Sequence, residues 1–283
     1  MLHELPLEAS VLHGRFSRDL DPVLTVDPGD SVRFSTPDAG WHVTFDERFT
    51  ARDDADYEGH ALAGPIEVRG ARTGQTLAVR IDEVRPANWG TTWAGRKVVR
   101  WELEGDVGRA LGRTVELAPF LGVLGMPPAE PGWHPTGPPR RSGGNIDCKE
   151  LVAGTTLFLP IAVDGALFSA GDGHARQGDG EVSGTAIETP VEAQVTLDVR
   201  DDFPLEWPVA RIQGAWLTFG FDEDLGRAAT IAADGIVELI RREHGLDEAE
   251  ASALASVAVD LRVTQIVNGA QGVHAVLCDD AWS

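Results

Sequence analysis

A two-residue alternation of apolar and polar side chains recurs along this chain and limits what it can fold into more than any other feature. Thr76–Val84 places Leu77, Val79 and Ile81 on one side, opposite Ala78, Arg80 and Asp82. Glu192–Val199 repeats the pattern with Ala193, Val195, Leu197 and Val199, and Val259, Leu261 and Val263 predict a closing strand. Successive side chains of an extended chain point to opposite faces, so each run predicts a strand with one face on a core. Phe120–Met126 and Thr156–Val163 read as apolar strands, Pro65–Gly70 as a short one, and Val98–Val115 as mixed but strand-like. Residues 22–34 predict a hairpin closed by the turn Asp27-Pro28-Gly29-Asp30. Residues 51–63 read as a polar loop, and Asn88-Trp89-Gly90 opens another that holds Trp93. Six prolines between Pro127 and Pro139 make that segment a stiff irregular loop.

Helical spacing is clearest over Asp222–Gly245, where Leu225, Ala228, Ala229, Ala232, Ile236, Leu239 and Ile240 form one stripe. Asp222 suits the N-cap and Gly245 the position after the last turn. Asp247 with Glu250 predicts a capping box for a second helix, about 248–257. The expected fold is mainly β: a decorated sandwich of two packed sheets, with a helical pair near the C-terminal third. No internal repeat or long linker divides the chain, so residues 1–283 are expected to form one domain.

Composition removes several classes of function. No run of eighteen apolar residues exists, so no spanning helix is expected, and the start of the chain does not read as a signal peptide. Two cysteines, Cys148 and Cys278, make no disulfide framework, which points to the reducing cytoplasm. A net charge of −21 repels phosphate backbones and argues against nucleic acid as a partner. Lys97 and Lys149 are the two lysines among 24 basic residues. Lys149 therefore stands out beside the central motif, since lysine loses its proton far more readily than arginine when buried.

Chemistry-bearing residues concentrate in one segment, Gly143–Glu188. An apolar strand is followed by Gly171-Asp172-Gly173-His174, then Gly178-Asp179-Gly180-Glu181, and a second β-rich run ends on Glu188. Oxygen donors with an imidazole in a glycine-rich setting suit a divalent cation, and repeated glycine lets the backbone approach a small ligand. Asp-Gly pairs also mark simple turns. Asn145 and Asp147 would share one face of an extended segment, with Ile146 opposite. Asp172 and His174 share parity across Gly173. Glu181 and Glu188 differ by seven, so on a regular strand they would face opposite sides unless Gly184 introduces a bulge. His42, beside Trp41, is a further candidate for the pocket lining.

The string GGNIDCKELVAGTTLFLPIAVDGALFSAGDGHARQGDGEVSGTAIE closely resembles the core of the acetamidase/formamidase family. GPIEVRGARTGQTLAVRIDEVRPANWG (64–90), FLGVLGMPPAEPG (120–132) and SVAVDLRVTQIVNGAQGVHAVL (256–277) resemble other parts of it, so the likeness covers nearly the whole chain. The resemblance implies hydrolysis of a short aliphatic amide to carboxylate and ammonia, and it points to the same β-rich fold. A small-molecule amide is then the expected partner, with no nucleic acid and no membrane, in a homo-oligomer.

Amide hydrolysis needs an activated nucleophile, a stabilised oxyanion and a proton for the departing amine. Three routes are open. A divalent metal, zinc or calcium, could be held by Asp147, Asp172 and His174, with Glu188 a further candidate ligand and Glu181 as base. Glu181 or Glu188 could activate water without a metal. Cys148 could attack, but Cys148-Lys149-Glu150 cannot converge on one atom from an extended chain. The expected catalytic residues are Glu181, His174 and Asp147, with Asn145, His42 and Glu188 binding substrate. A non-catalytic small-molecule or metal-binding β module is the rival from another class. An amidase for a larger or cyclic amide, walled by Trp41, Trp93 and Trp133, is a third reading.

Overall fold

The computed structural model describes residues 1–282. A nine-stranded sheet runs in the order Leu2–Leu5, Asp30–Thr36, Val191–Arg200, Thr76–Pro86, Thr156–Pro160, Val209–Ile212, Ala215–Asp222, Gln271–Cys278, Val259–Gln265. Facing it, a second sheet runs Gly143–Asn145, Phe120–Gly125, Phe168–His174, Leu62–Val68, Leu12–His13, with Leu24–Val26 parallel to Leu62–Val68. Val32, Phe34, Leu77, Val79, Ile81, Val195 and Leu197 of the first sheet share one buried core with Ile66, Leu121, Leu124 and Phe168 of the second. Each such side chain contributes about 1.5–3 kcal/mol when fully buried, which is why the alternating runs settle with those positions inward. A four-stranded ribbon, Trp89–Ala94, Lys97–Glu104, Val107–Ala110 and Arg113–Glu116, extends the second layer.

Helix α1 (Leu225–His244) buries Ala228, Ala232, Ile236, Leu239 and Ile240 against Val273, Ala275 and Leu277 on the outer side of the large sheet. Its N-cap is Asp224 rather than Asp222; the Asp224 side chain accepts from Arg227 N, while Asp222 ends the preceding strand. Gly245 closes α1 in the left-handed region at φ 65°. The Asp247–Glu250 capping box forms as expected and starts α2 (Glu248–Ala258). Among the described residues no helix is long and apolar enough to cross a membrane.

Three local expectations are overturned. The turn at Asp27–Asp30 forms, but its flanking strands do not pair with each other: Leu24–Val26 joins Leu62–Val68, and Asp30–Thr36 joins the large sheet. The turn carries the chain from one layer to the other, so its two apolar runs feed the same core from opposite sides. Asn88–Trp93 is not loop; Trp89–Ala94 pairs antiparallel with Lys97–Glu104. The run after Glu181 is not β-rich: Val182, Ser183 and Gly184 form turns, and Glu188 joins a sheet only through single bridges. The parity argument for Glu181 and Glu188 therefore does not apply.

His13 sits where the second sheet meets the N-terminal segment. It is buried, with Nδ1 2.9 Å from Arg15 O and Nε2 2.8 Å from Ser169 Oγ. Burial pushes its pKa down from 6.5 to about 4. Between those values the unfolded chain binds the proton and the folded chain does not, so stability rises with pH. The stabilisation is complete above about pH 6.5 and is lost as pH falls through 4, an effect of about 3 kcal/mol. Urea midpoints from pH 4 to 7 should therefore fall less steeply on acidification in His13→Asn than in the parent, and equal slopes would remove this account.

Candidate active site

Single β-bridges and strand registers assemble one row of residues across the second layer. Phe120 lies opposite His174, His174 opposite Glu188, Glu188 opposite Thr91, and Thr91 opposite Arg100. Directly opposed residues share a face, so these side chains line one surface. Leu121 pairs with Gly173 and Val123 with Gly171, which leaves Gly122 opposite Asp172. A Cβ at Gly122 would lie 2.5 Å from Asp172 Oδ2 and 2.6 Å from Asp147 Oδ1. Glycine here is what lets two carboxylates close over the strand.

Asp147, Asp172 and Glu181 have φ of 53°, 61° and 45°. Left-handed backbone is costly for a residue with a Cβ, and its recurrence at three acids of one cluster marks them as held in place by their surroundings. It also corrects the face-sharing argument for Asn145 and Asp147, because regular alternation does not run through Asp147.

Asp147, Asp172, His174, Glu181 and Glu188 are all buried. His174 Nε2 is 3.1 Å from Glu188 Oε2 and 3.5 Å from Asp172 Oδ1, and its Nδ1 is 3.8 Å from Asp147 Oδ1. Gln177 binds both sides of the cluster: its Oε1 is 3.0 Å from His174 Nδ1 and its Nε2 donates to Asp147 O at 2.7 Å. Asn268 Nδ2 donates to Asp147 Oδ2, and His60 Nε2 is 3.9 Å from Asp172 Oδ2. Phe120 meets the His174 ring edge-on at 4.9 Å between centroids.

Charge sets the protonation pattern. Burial disfavours the His174 imidazolium, but the Glu188 and Asp172 carboxylates outweigh it and hold the pKa well above 6.5. Burial also works against the Asp172 anion, yet His60 and His174 hold its pKa below the ordinary value. Burial raises Glu181 and Glu188, each to about 7, against the pull of His174, and it raises Asp147 well above the usual range, reinforced by the Glu181 charge. Two carboxyls poised near neutrality beside an imidazolium can exchange protons at physiological pH.

The same atoms test the fit of a metal. Asp147 Oδ1, Asp172 Oδ1, Glu181 Oε2 and Glu188 Oε2 are buried oxygens without a hydrogen-bond partner among the described residues. Asp172, His174 and Glu188 offer ligand atoms within 4.8 Å of one another, and so do Asp147, His174 and Glu181. Gln177 occupies Nδ1, which leaves Nε2 with Asp172 and Glu188 as the better triad. Its spacings of 3.1 and 3.5 Å match the roughly 3.4 Å between ligands on a tetrahedral ion. The donor types suit a divalent cation: of the expected ligands, Asp172 and His174 stand with Glu188 at Nε2, while Asp147 stands with Glu181 on the Nδ1 side.

Not every expected site residue joins the cluster. Asn145 is buried opposite Val123, and its Oδ1 has no hydrogen-bond partner among the described residues. His42 pairs with Asp38 at 3.3 Å and lines a small cavity of about 210 Å³ with Phe45, Trp89, Thr91, Trp93 and Arg100, which adjoins the cluster through the bridge from Thr91 to Glu188. Trp41 is a core residue donating to Gly59 O, and Trp133 is exposed with Arg15 stacked on it, so of those three tryptophans Trp93 alone borders that cavity. Lys149 pairs with Asp179 at 2.7 Å. Cys148 donates its thiol proton to Glu150, and burial raises its pKa well above 9, against a nucleophilic role. Sequence reasoning missed Gln177, Asn268, His60, Thr91 and Gly122. Only Gln177 carried a signal, three residues after His174 in the same motif.

A buried imidazole ringed by carboxylates in a β sandwich defines a class of site made for proton transfer or for a divalent cation. The profile of the Acetamidase/Formamidase family matches residues 3–103 and 113–213, and the chain belongs to that family. The acetamidase of Bacillus halodurans shares 28% identity, with a TM-score of 0.88 over 97% of each chain. The acetamidase of Yersinia enterocolitica shares 25% identity, with a TM-score of 0.89 over 100% of this chain and 94% of the other. The acetamidase of Mycolicibacterium smegmatis is 25% identical over 250 residues, covering 60% of this chain and 61% of the relative. The chain thus spans about three-fifths of the length of the curated relatives it matches.

Proposed function

We propose that this protein hydrolyses the C–N bond of small linear amides to carboxylate and ammonia. The observation that carries the reading is the convergence of His174 with four buried carboxylates, each keeping one oxygen without a hydrogen-bond partner among the described residues. Glu181, poised at about 7, takes the proton of the attacking water. Glu188, held by His174 Nε2 and also near 7, returns a proton to the departing amine. The positive charge of His174 lies beside the position where the oxyanion develops, and Gln177 fixes the ring. A divalent metal, zinc or calcium, held by Asp172, His174 and Glu188 would polarise the carbonyl and acidify water, the imidazole then being neutral. A homo-oligomer in the cytoplasm goes with this reading; both cysteines are free.

Incubation with formamide and acetamide, in zinc- or calcium-supplemented buffer, should release ammonia. No release from any short amide would end the proposal. A chelated sample separates the routes: retained turnover favours water activated by glutamate alone.

The cavity beside Thr91 favours an acyl group larger than acetyl. Thr91 opposes Glu188 directly, its Oγ1 is buried without a partner, and Phe45, Trp89 and Trp93 supply apolar walls. Butyramide or benzamide should then exceed formamide in kcat/KM, and Trp93→Ala should shrink that ratio by about tenfold, the order of a lost apolar contact in a pocket. A steady fall in kcat/KM with each added carbon would show that the cavity takes no part.

A further inference from the structure

The segment that carries Asp147 continues into a second cluster of different composition. Cys148 is fully buried, and its Sγ lies 3.3 Å from Glu150 Oε2. His274, buried on the strand Gln271–Cys278, directs Nε2 at the same oxygen from 3.7 Å. Sulfur, oxygen and nitrogen all lie within 4.8 Å of one another. Thr264 Oγ1 is 2.8 Å from His274 Nδ1 and fixes the ring, while Nε2 has no hydrogen-bond partner among the described residues.

We propose that Cys148, Glu150 and His274 bind a thiophilic divalent metal of the zinc type, at a site separate from the reacting cluster. Zinc bonds of about 2.3 Å to sulfur and 2.0–2.1 Å to nitrogen or oxygen place tetrahedral ligands roughly 3.4–3.6 Å apart. The 3.3 and 3.7 Å spacings need shifts of a few tenths of an ångström. Arg262 holds the other Glu150 oxygen at 3.0 Å, as the outer partner that orients a ligating carboxylate. A cavity of about 340 Å³ bordered by Lys149, Glu150 and Gly178 reaches the cluster from the Glu150 side. On binding, the thiol gives up its proton to solvent, and thiolate with carboxylate neutralises the ion. Sulfur distinguishes this site from the one around His174, whose oxygen-rich donors also suit harder cations. The metal would clasp the segment after Asn145 to the strand of His274, one residue from Asp147.

Cobalt(II) is the probe, because thiolate ligation gives it a near-ultraviolet charge-transfer absorption that oxygen and imidazole ligands do not. Metal-stripped protein titrated with Co2+ should develop that absorption at one equivalent and melt at a higher temperature. Cys148→Ser should abolish the absorption, and Glu150→Gln should weaken Co2+ binding at least tenfold. Asp172→Asn and Cys278→Ser should leave it intact, the former separating this site from the His174 cluster. Glu150→Gln keeps side-chain volume, so it serves where Cys148→Ser fails to fold. No charge-transfer absorption in the parent, or one that survives Cys148→Ser or vanishes in Cys278→Ser, overturns the proposal.

Discussion

Replacing His174 by alanine is expected to lower amide turnover by about 10²- to 10⁴-fold, the usual range for losing a group that moves or balances a proton in the transition state. Nε2 touches Glu188 and Asp172 and Nδ1 faces Asp147, so one change removes the cation that lets these carboxylates coexist. Stability should register the same loss. Without the imidazolium, the Asp147, Glu181 and Glu188 carboxyls rise further above their unfolded values. The folded state then binds more protons than the unfolded chain above about pH 4.5, and stability falls as pH rises. Urea midpoints of His174→Ala should therefore lie below those of the parent at pH 7, with chelator present in both. A binding module without chemistry would show no turnover in either protein. Parent-level turnover in His174→Ala would place the reaction elsewhere.

The layers of the fold were legible because burial follows alternation. Leu77, Val79 and Ile81 are fully buried, as the pattern in Thr76–Val84 requires, and the α1 stripe meets Val273, Ala275 and Leu277 as a 3.6-residue period predicts. Partner choice was not legible. The Pro-Gly turn at residues 27–30 fixes a local reversal, but tertiary packing sends its two arms to different sheets. The site showed the same divide. Asp147, Asp172, His174, Glu181 and Glu188 could be named from residue type within one segment. Their convergence depends on three left-handed acids and on single bridges, and no two-residue period encodes either. Asn268 and Thr91 come from remote strands and loops and carry no local sign of their place. His42 pairs with Asp38, four residues earlier, and borders the cavity that also holds Thr91 and Trp93, a placement that residue type alone does not encode.

Gly122→Ala tests the site without removing any reactive group, and it should cost about 100-fold in kcat. No left-handed conformation is involved at Gly122, so the backbone accepts alanine and the whole effect lies in the added methyl. That methyl would meet Asp172 Oδ2 at 2.5 Å, Asp147 Oδ1 at 2.6 Å and His174 Cε1 at 3.0 Å. Two of these contacts are closer than real carbons approach oxygen, and Asp147 and Asp172 are themselves pinned in left-handed backbone. They must retreat by the better part of an ångström, and a misplacement of about 1 Å costs a reaction roughly 10²-fold. Overpacking adds about 1–3 kcal/mol of destabilisation, readable from urea midpoints, and leaves a folded protein for assay. Gly137→Ala is the control: its added methyl meets nothing within 4 Å, so stability should stay within about 0.5 kcal/mol of the parent. A Gly122→Ala protein that folds and still turns over amide at the parental rate would show that the space between Asp147, Asp172 and His174 is not where the carbonyl reacts. A hundredfold loss in Gly122→Ala alone would locate the chemistry there, because the methyl changes neither the charge nor the identity of any reacting side chain.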